Sequence, residues 1–153
     1  MRDQRFIAAH RGGPLTKDLH RQLMKWAREC LEHVLPLIDG DIDPRLMHAL
    51  SVARDWENEK ATVGKARKAA VGAHIVARES TDPVITAVAR SIGHVVATAH
   101  MADHAPGAAE YALQAVKLSG TSPEDERKWQ DEQLTPEIAE LVLSSREKRK
   151  LKM

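Results

Sequence analysis

Four times along the chain, a helix-capping side chain stands directly before a proline. The pairs are Asp43–Pro44, Asp82–Pro83, Ser122–Pro123 and Thr135–Pro136. The capping oxygen accepts an N–H of the first helical turn, and proline suits the first helical position because its missing N–H would have had no partner there. No segment shows the sustained apolar–polar alternation of a strand, so the chain is predicted to be all-α.

Apolar residues recur at three- and four-residue steps between these signals, which predicts successive amphipathic helices. The helices are expected at about 17–38, 44–59, 63–80, 83–103, 107–119, 123–133 and 136–150. The fourth should be central, because Arg90 is its one charged residue between Pro83 and Ala102. The predicted fold is a compact bundle of six or seven helices. Stacked helical hairpins are the alternative, since the first three capping pairs lie 39 and 40 residues apart.

Length and charge restrict the class of protein. The 153 residues predict one α-helical domain, 1–153, with 123–153 as a candidate C-terminal appendage. Lys and Arg total 23 against 22 for Asp and Glu, a balance that argues against dedicated nucleic-acid binding. The single cysteine, Cys30, excludes a disulfide framework. No apolar run suits a signal peptide or a membrane span, so we expect a cytoplasmic protein without membrane attachment.

The histidines are the residues that most resemble a reactive site. His100 and His104 are four residues apart, a spacing that puts two imidazoles on one helix face for a shared metal. His94 lies on the same predicted helix and His74 on its neighbour. A zinc site also needs a third ligand, and Asp103 is expected to point away from the pair. We therefore predict partly buried structural histidines, with no metal and no cofactor. A histidine-lined module that binds a metal or a small molecule stays the alternative.

No other pattern predicts catalysis. The chain lacks the G-x-S-x-G motif and a glycine-rich phosphate loop, and its cysteine lies on an apolar helical stripe. Asp39, Asp41 and Asp43 resemble the start of a calcium loop. However, Pro44 stands where that loop needs its glycine, and Leu50 where it needs a bidentate glutamate. The protein is predicted not to be an enzyme.

Charge is distributed unevenly along the chain. Residues 29–60 hold eight acids against three bases, whereas residues 1–28 and the tail from Arg146 to Lys152 are basic. Solvated faces are the ordinary explanation of such runs. The functional explanation is an acidic patch that steers and holds a basic partner. The basic tail is interpreted as a frayed helix end rather than a nucleic-acid contact, and homo-oligomer formation stays open.

Several sequence strings occur together in the order that one protein family has them. They are RGGPLT, LEHVLPL, ARDWENEKATVGKARKAA, AHIVARES, IGHVVATAHMADHAPGAAEYAL and ERKWQDEQLTPEIAELVL. These strings run from Arg11 to Leu143, and with them the chain resembles the Imm-5-like family of bacterial immunity proteins. The resemblance implies an intracellular α-helical protein that binds a toxin domain encoded nearby and has no catalytic site.

The resemblance also gives the acidic segment a role, because immunity proteins commonly block a nuclease by directing acids at its basic active-site cleft. The candidate partner-binding residues are Asp39, Asp41, Asp43, Asp55, Trp56, Glu57 and Glu59. Trp56 is either an aromatic anchor for the toxin or part of the core. A second set of polar residues is expected to form a buried hydrogen-bonded network that fixes helix register, with a pocket as the alternative. This set comprises Arg67, His74, Arg78, Glu79, Arg90, His94, His100 and His104.

Overall fold

The fold was analysed in a computed structural model that describes residues 2–151, with side chains described as far as residue 149. Its helices are α1 (Lys17–Val34), α2 (Pro44–Glu57), α3 (Val63–Glu79), α4 (Pro83–Ala97), α5 (His104–Leu118), α6 (Pro123–Glu132) and α7 (Pro136–Leu151). No strand occurs among residues 2–151, where the one isolated bridge joins Ala8 and Leu15. The prediction of an all-α bundle is confirmed. Lys152, the last residue of the predicted basic tail, lies outside the described residues.

Three of the four predicted capping side chains are seen to begin their helices. Asp43, Asp82 and Ser122 each accept a backbone N–H from the first turn of the helix that follows them. Thr16 and Thr62 do the same for α1 and α3. Each cap satisfies one of the N–H groups that a helix leaves without an internal partner, which is why these helices begin where the sequence predicts.

α4 lies at the centre of the bundle, in contact with α1, α2, α3 and α5. Nine of its 15 residues are buried. Its buried serine is satisfied, since Ser91 Oγ donates a hydrogen bond of 2.8 Å to the carbonyl oxygen of Ala108 in α5. The alanine-rich faces of α3, α4 and α5 therefore supply the middle of the core, as expected for a helix surrounded by others.

The boundary between α4 and α5 differs from the prediction. α4 ends at Ala97 rather than near residue 103, and α5 begins at His104 rather than at residue 107. Pro106 lies inside the first turn of α5, where a proline removes no helical hydrogen bond, so the chain turns before it and not at it. His100 consequently lies in the turn between the two helices. The prediction that His100 and His104 share one helix face is wrong.

α6 and α7 are joined to the bundle by a buried polar link. Trp26 Nε1 donates to the carbonyl oxygen of Gln130 at 2.8 Å. The Arg146 guanidinium donates to the side chains of Gln130 and Asp131 and lies 5.2 Å from the centre of the Trp26 ring. Arg146 is only 3% exposed. The interpretation of the basic tail as a frayed end is therefore wrong at Arg146, which anchors α7 to α1 and α6.

The segment before α1 folds back over the bundle. Phe6 and Leu15 are buried, and the Ala9 N–H donates to the Leu15 carbonyl oxygen at 2.7 Å. Arg2 forms an ion pair with Asp103 in the turn after α4, at 2.9 Å. Helical periodicity does not predict this segment, which is held by loop hydrogen bonds and by the three buried residues Phe6, Ala8 and Leu15.

Candidate functional site

The seven candidate partner-binding residues lie at the two ends of α2. Asp39, Asp41 and Asp43 precede the helix, whereas Asp55, Trp56, Glu57 and Glu59 are at its end or just beyond it. At a rise of 1.5 Å per residue, the two groups are separated by about 21 Å along the helix axis. The structure therefore does not bring the predicted acids together in one patch.

Glu57 is engaged with an arginine of the same chain. Arg28 donates two hydrogen bonds to the Glu57 carboxylate, at 2.7 and 2.8 Å, and a third to Glu32 at 2.6 Å. The side chain of Glu57 is only 9% exposed. A paired arginine–carboxylate contact of this kind is the strongest arrangement of two such groups, and the hydrogen bonds to Glu57 raise the pKa of Arg28. Glu57 thus fixes α2 against α1.

Two further acids of the set are also ion-paired. Asp43 accepts from Arg45 at 2.8 Å, and this hydrogen bond lowers the pKa of Asp43. Glu59 accepts from Arg21 at 2.8 Å. Within the described part of the chain, three acids of the set form no ion pair. These are Asp39, Asp41 and Asp55.

Trp56 borders a cleft of about 300 Å³, which we call the Trp56 cleft. It is lined by Lys17, His20 and Arg21 of α1, by Trp56 and Glu59 at the end of α2, by residues 61–63 before and at the start of α3, and by His10 and Ala99. Trp56 is half-buried and packs against the core with part of its ring, so it belongs to the core and to the cleft wall at once.

His20 is the most deeply buried polar residue of the Trp56 cleft, at 5% exposure. Its Nε2 donates to the Thr98 carbonyl oxygen at 2.6 Å, and its ring meets the Trp56 ring edge-on with 4.8 Å between the centres. Burial lowers the pKa of His20, so the ring is neutral at pH 7. His20 is not among the candidate residues predicted from the sequence. A signal was present, since His20 lies on the apolar stripe of α1 together with Leu23 and Ala27.

Glu59, at the edge of the Trp56 cleft, has a left-handed backbone conformation with φ of 61°. α2 ends in a Schellman motif, in which the Lys60 N–H donates to the Asp55 carbonyl at 2.7 Å and the Glu59 N–H to the Trp56 carbonyl at 3.1 Å. Glycine is usual at the Glu59 position, because a Cβ atom there costs about 1–2 kcal/mol. Glu59 adopts this strained conformation and also forms the ion pair with Arg21.

A second cluster, the histidine cluster, consists of His74, His94, His104 and Tyr111 between α3, α4 and α5. The Nδ1 atoms of His94 and His104 are 3.0 Å apart, so one ring donates a hydrogen bond to the other. His74 meets His94 edge-on at 5.7 Å between ring centres, and Tyr111 stacks on His94 at 5.1 Å. The hydrogen bond requires a neutral acceptor ring, because two protonated imidazoles would both be donors.

Two glycines make room for these rings. A Cβ atom at Gly93 would lie 2.5 Å from the His74 ring, and one at Gly107 would lie 3.3 Å from Nδ1 of His94. The rings of His74 and His94 therefore occupy the space that a side chain at Gly93 or Gly107 would take, which lets α3, α4 and α5 approach closely. Gly93 and Gly107 serve packing here, since neither has a positive φ.

The histidine cluster is uncharged at neutral pH. Burial is the main cause and the nearby His104 the second cause of the low pKa of His94, which is about 4. Burial also lowers the pKa of His104 and of His74, and for His74 the charges of Arg78 and Arg90 act in the same direction. Desolvation thus dominates, with repulsion between cations as a second cause.

The residues predicted to form a buried network fall into two groups that differ in burial. The histidines are half-buried, whereas Arg67, Arg78, Glu79 and Arg90 are exposed and take no part in a buried network. Glu79 instead accepts a surface ion pair from Arg45 at 2.8 Å. His100 lies in the turn after α4, 5.5 Å from His104 between ring centres, and its buried Nδ1 has no hydrogen-bond partner among the described residues.

Metal binding is not favoured by the histidine geometry. Among the described residues, no group of three or more His, Cys, Asp or Glu side chains is arranged to hold a metal ion. The facing nitrogens of His94 and His104 are directed at each other rather than at a common centre. The histidine cluster therefore packs between α3, α4 and α5, and the Nδ1 atoms of His94 and His104 are paired by a hydrogen bond.

Comparison with known proteins identifies the family of most of the chain. Residues 13–137 match the family described as "Imm-5 like putative immunity protein". No curated protein and no solved structure matches the chain. None of the helices formed by the described residues is long and apolar enough to cross a membrane. The matched region extends from the loop before α1 to the start of α7 and includes both ends of α2 and the histidine cluster. The chain belongs to the Imm-5-like family of immunity proteins.

Proposed function

We propose that this protein neutralises a toxin domain, encoded beside its own gene, by binding it directly and without chemistry of its own. Membership of the Imm-5-like family carries the proposal. The state of the reactive side chains is in keeping with it. Cys30 is fully buried and burial raises the pKa of its thiol, which disfavours the reactive thiolate. The imidazoles of His94 and His104 are hydrogen-bonded to each other through their Nδ1 atoms.

We place the toxin contact along α2, on the acids that have no partner within the described chain. These are Asp39 and Asp41 at one end of the helix and Asp55, next to Trp56, at the other. A standard interface buries about 800 Å² on each partner, which corresponds to a patch about 30 Å across. One toxin surface is therefore wide enough to reach both ends of α2. Acids meeting a basic cleft, such as that of a nuclease, would raise the association rate.

The ion-paired acids are weaker candidates for this contact. Asp43, Glu57 and Glu59 would each have to exchange an arginine of this chain for a cation of the toxin. For Glu57 the exchange would also break a nearly buried contact between α1 and α2. Their proposed role is to keep α2 and its flanking loops in place while Asp39, Asp41 and Asp55 meet the partner.

Charge reversal tests the contact. The double variant Asp39→Lys/Asp41→Lys should slow association with a catalytically inactive toxin domain about tenfold at low salt, and the difference should shrink as salt rises. Surface-coupled binding kinetics measure both effects. The matched control is Glu132→Lys/Glu137→Lys, which reverses two exposed acids of α6 and α7. Equal association rates for the two double variants would contradict the proposal that Asp39 and Asp41 contact the toxin. Absence of binding by the unmodified protein would refute direct neutralisation.

A further inference from the structure

The Trp56 cleft is large enough for a small ligand and combines apolar with cationic lining residues. Its volume of about 300 Å³ lies at the lower end of the range for small-molecule pockets. A cavity of about 150 Å³ is enough for a benzene ring, so a ring with one polar substituent fits this volume. We propose that the Trp56 cleft binds a small carboxylate with a flat apolar body, such as an aromatic acid. This binding does not depend on the proposed interaction with a toxin.

The apolar part of the Trp56 cleft would hold the body of the ligand. Trp56 offers part of a half-buried indole ring, and Ala61, Val63 and Ala99 add small apolar surfaces. His20 contributes a buried ring that is uncharged at neutral pH, since burial lowers its pKa. Aromatic rings prefer edge or offset contacts with one another, so a flat ligand ring suits these walls better than a branched chain.

The polar part of the Trp56 cleft is cationic. Lys17 and Arg21 are four residues apart on α1, and therefore lie on one face of the helix. Lys17 forms no ion pair within the described part of the chain. Arg21 is held by Glu59 through one of its terminal nitrogens, and its guanidinium retains further N–H donors. A carboxylate placed between Lys17 and Arg21 would meet two cations, with Glu59 as the one lining acid.

The arrangement is set before any ligand arrives. Glu59 adopts a strained left-handed conformation and pairs with Arg21, while Thr98 fixes the orientation of His20. Lys17 occupies the first position of α1, where a cation opposes the helix dipole, so its charge does not serve helix stability. A preformed site avoids the cost of ordering side chains on binding.

Fluorine NMR of the full chain, labelled with 5-fluorotryptophan, tests the proposal. The three tryptophans should give separate resonances, and the Trp56→Phe variant assigns the resonance of Trp56. The probes are benzoate, benzylamine with the same ring and the opposite charge, and acetate with the carboxylate alone. Benzoate should shift the Trp56 resonance saturably, with a dissociation constant of about 1 mM. Trp26 and Trp129 should stay unshifted, and benzylamine and acetate should bind at least about tenfold more weakly.

Two variants separate the cleft from unspecific binding. Lys17→Gln should weaken benzoate binding about threefold to fivefold, as expected for one exposed ion pair. The matched control Lys25→Gln, on an exposed lysine of the same helix that does not line the cleft, should leave it unchanged. Ala61→Phe should fill the cleft and abolish the Trp56 shift, with unaltered Trp26 and Trp129 resonances as proof of folding. The proposal is overturned if benzoate gives no saturable Trp56 shift, if benzylamine binds equally well, or if Ala61→Phe leaves benzoate binding intact.

Discussion

The substitution Gly93→Ala examines how α3 and α4 pack around the histidine cluster. A Cβ atom at residue 93 would lie 2.5, 2.6 and 2.9 Å from Cε1, Nε2 and Nδ1 of His74. Cβ atoms do not approach other atoms this closely, so the His74 ring or the helices must move. The ring is the end of a side chain that is only half-buried, which allows part of the clash to be relieved by rotation.

The expected change in the free energy of unfolding for Gly93→Ala is the sum of two opposing effects. Alanine in a helix interior is favoured over glycine by about 1 kcal/mol. Overpacking of a well-filled site costs about 1–3 kcal/mol. The sum predicts that Gly93→Ala lowers the free energy of unfolding by about 1 kcal/mol. In a His74→Ala background the clash is absent, and the same Gly93→Ala change should raise the free energy of unfolding by about 1 kcal/mol. The sign of the effect is therefore set by His74.

Urea unfolding of the four proteins of this double-mutant cycle, followed by circular dichroism, measures the coupling. The matched control is Gly72→Ala, inside the neighbouring helix α3, where a Cβ atom would meet nothing within 4 Å. Gly72→Ala should raise stability by about 0.5–1 kcal/mol whether or not His74 is present. If Gly93→Ala stabilises the otherwise unchanged protein, or has the same effect in both backgrounds, the proposed His74–Gly93 packing is refuted.

Three further predictions concern single groups. Burial lowers the pKa of His94 to about 4, below its unfolded value, so the unfolded chain binds the proton first as pH falls. Lowering pH from 7 to 5 should therefore cost about 1 kcal/mol of stability after allowance for partial exposure, and His94→Gln should reduce that loss in urea unfolding. Glu59→Gly should raise the melting temperature because it relieves the left-handed strain, whereas Glu59→Ala should lower it because it keeps the Cβ atom and loses the Arg21 ion pair. Arg146→Ala should cost about 3 kcal/mol by leaving buried polar partners unpaired, against less than about 0.5 kcal/mol for exposed Arg149→Ala. A pH-independent stability, equal effects of the two Glu59 variants, or a harmless Arg146→Ala would each contradict the corresponding assignment.

Local sequence signals predicted most of the helices. The predicted caps at Asp43, Asp82 and Ser122 place three helix starts correctly, because capping is a contact between neighbours in the chain. The turn at residues 98–103 was not predicted. The apolar pattern continues through it, and a proline in a first helical turn gives the same signal as a proline that ends a helix.

Local sequence signals did not predict the contacts between distant parts of the chain. Arg146 resembles a solvated residue in a basic tail, yet the structure buries it against Trp26, 120 positions earlier in the sequence. The acids near α2 are close in sequence, but a helix of 14 residues separates them in space. The Trp56 cleft combines α1, the end of α2 and Ala99, and no spacing rule connects those segments. Sequence patterns therefore identified Trp56 and Glu59 as candidates without indicating the cleft that they share.

Survival of cells that produce the toxin tests the central claim most directly. The toxin domain encoded beside the gene would be induced in a host carrying either this protein or an empty vector, with the Asp39→Lys/Asp41→Lys variant as a third arm. Neutralisation by direct binding predicts survival with the unmodified protein, recovery of the toxin in complex with it, and weaker protection by the variant. Death of cells that contain an active toxin and at least an equal amount of this folded protein would contradict the claim.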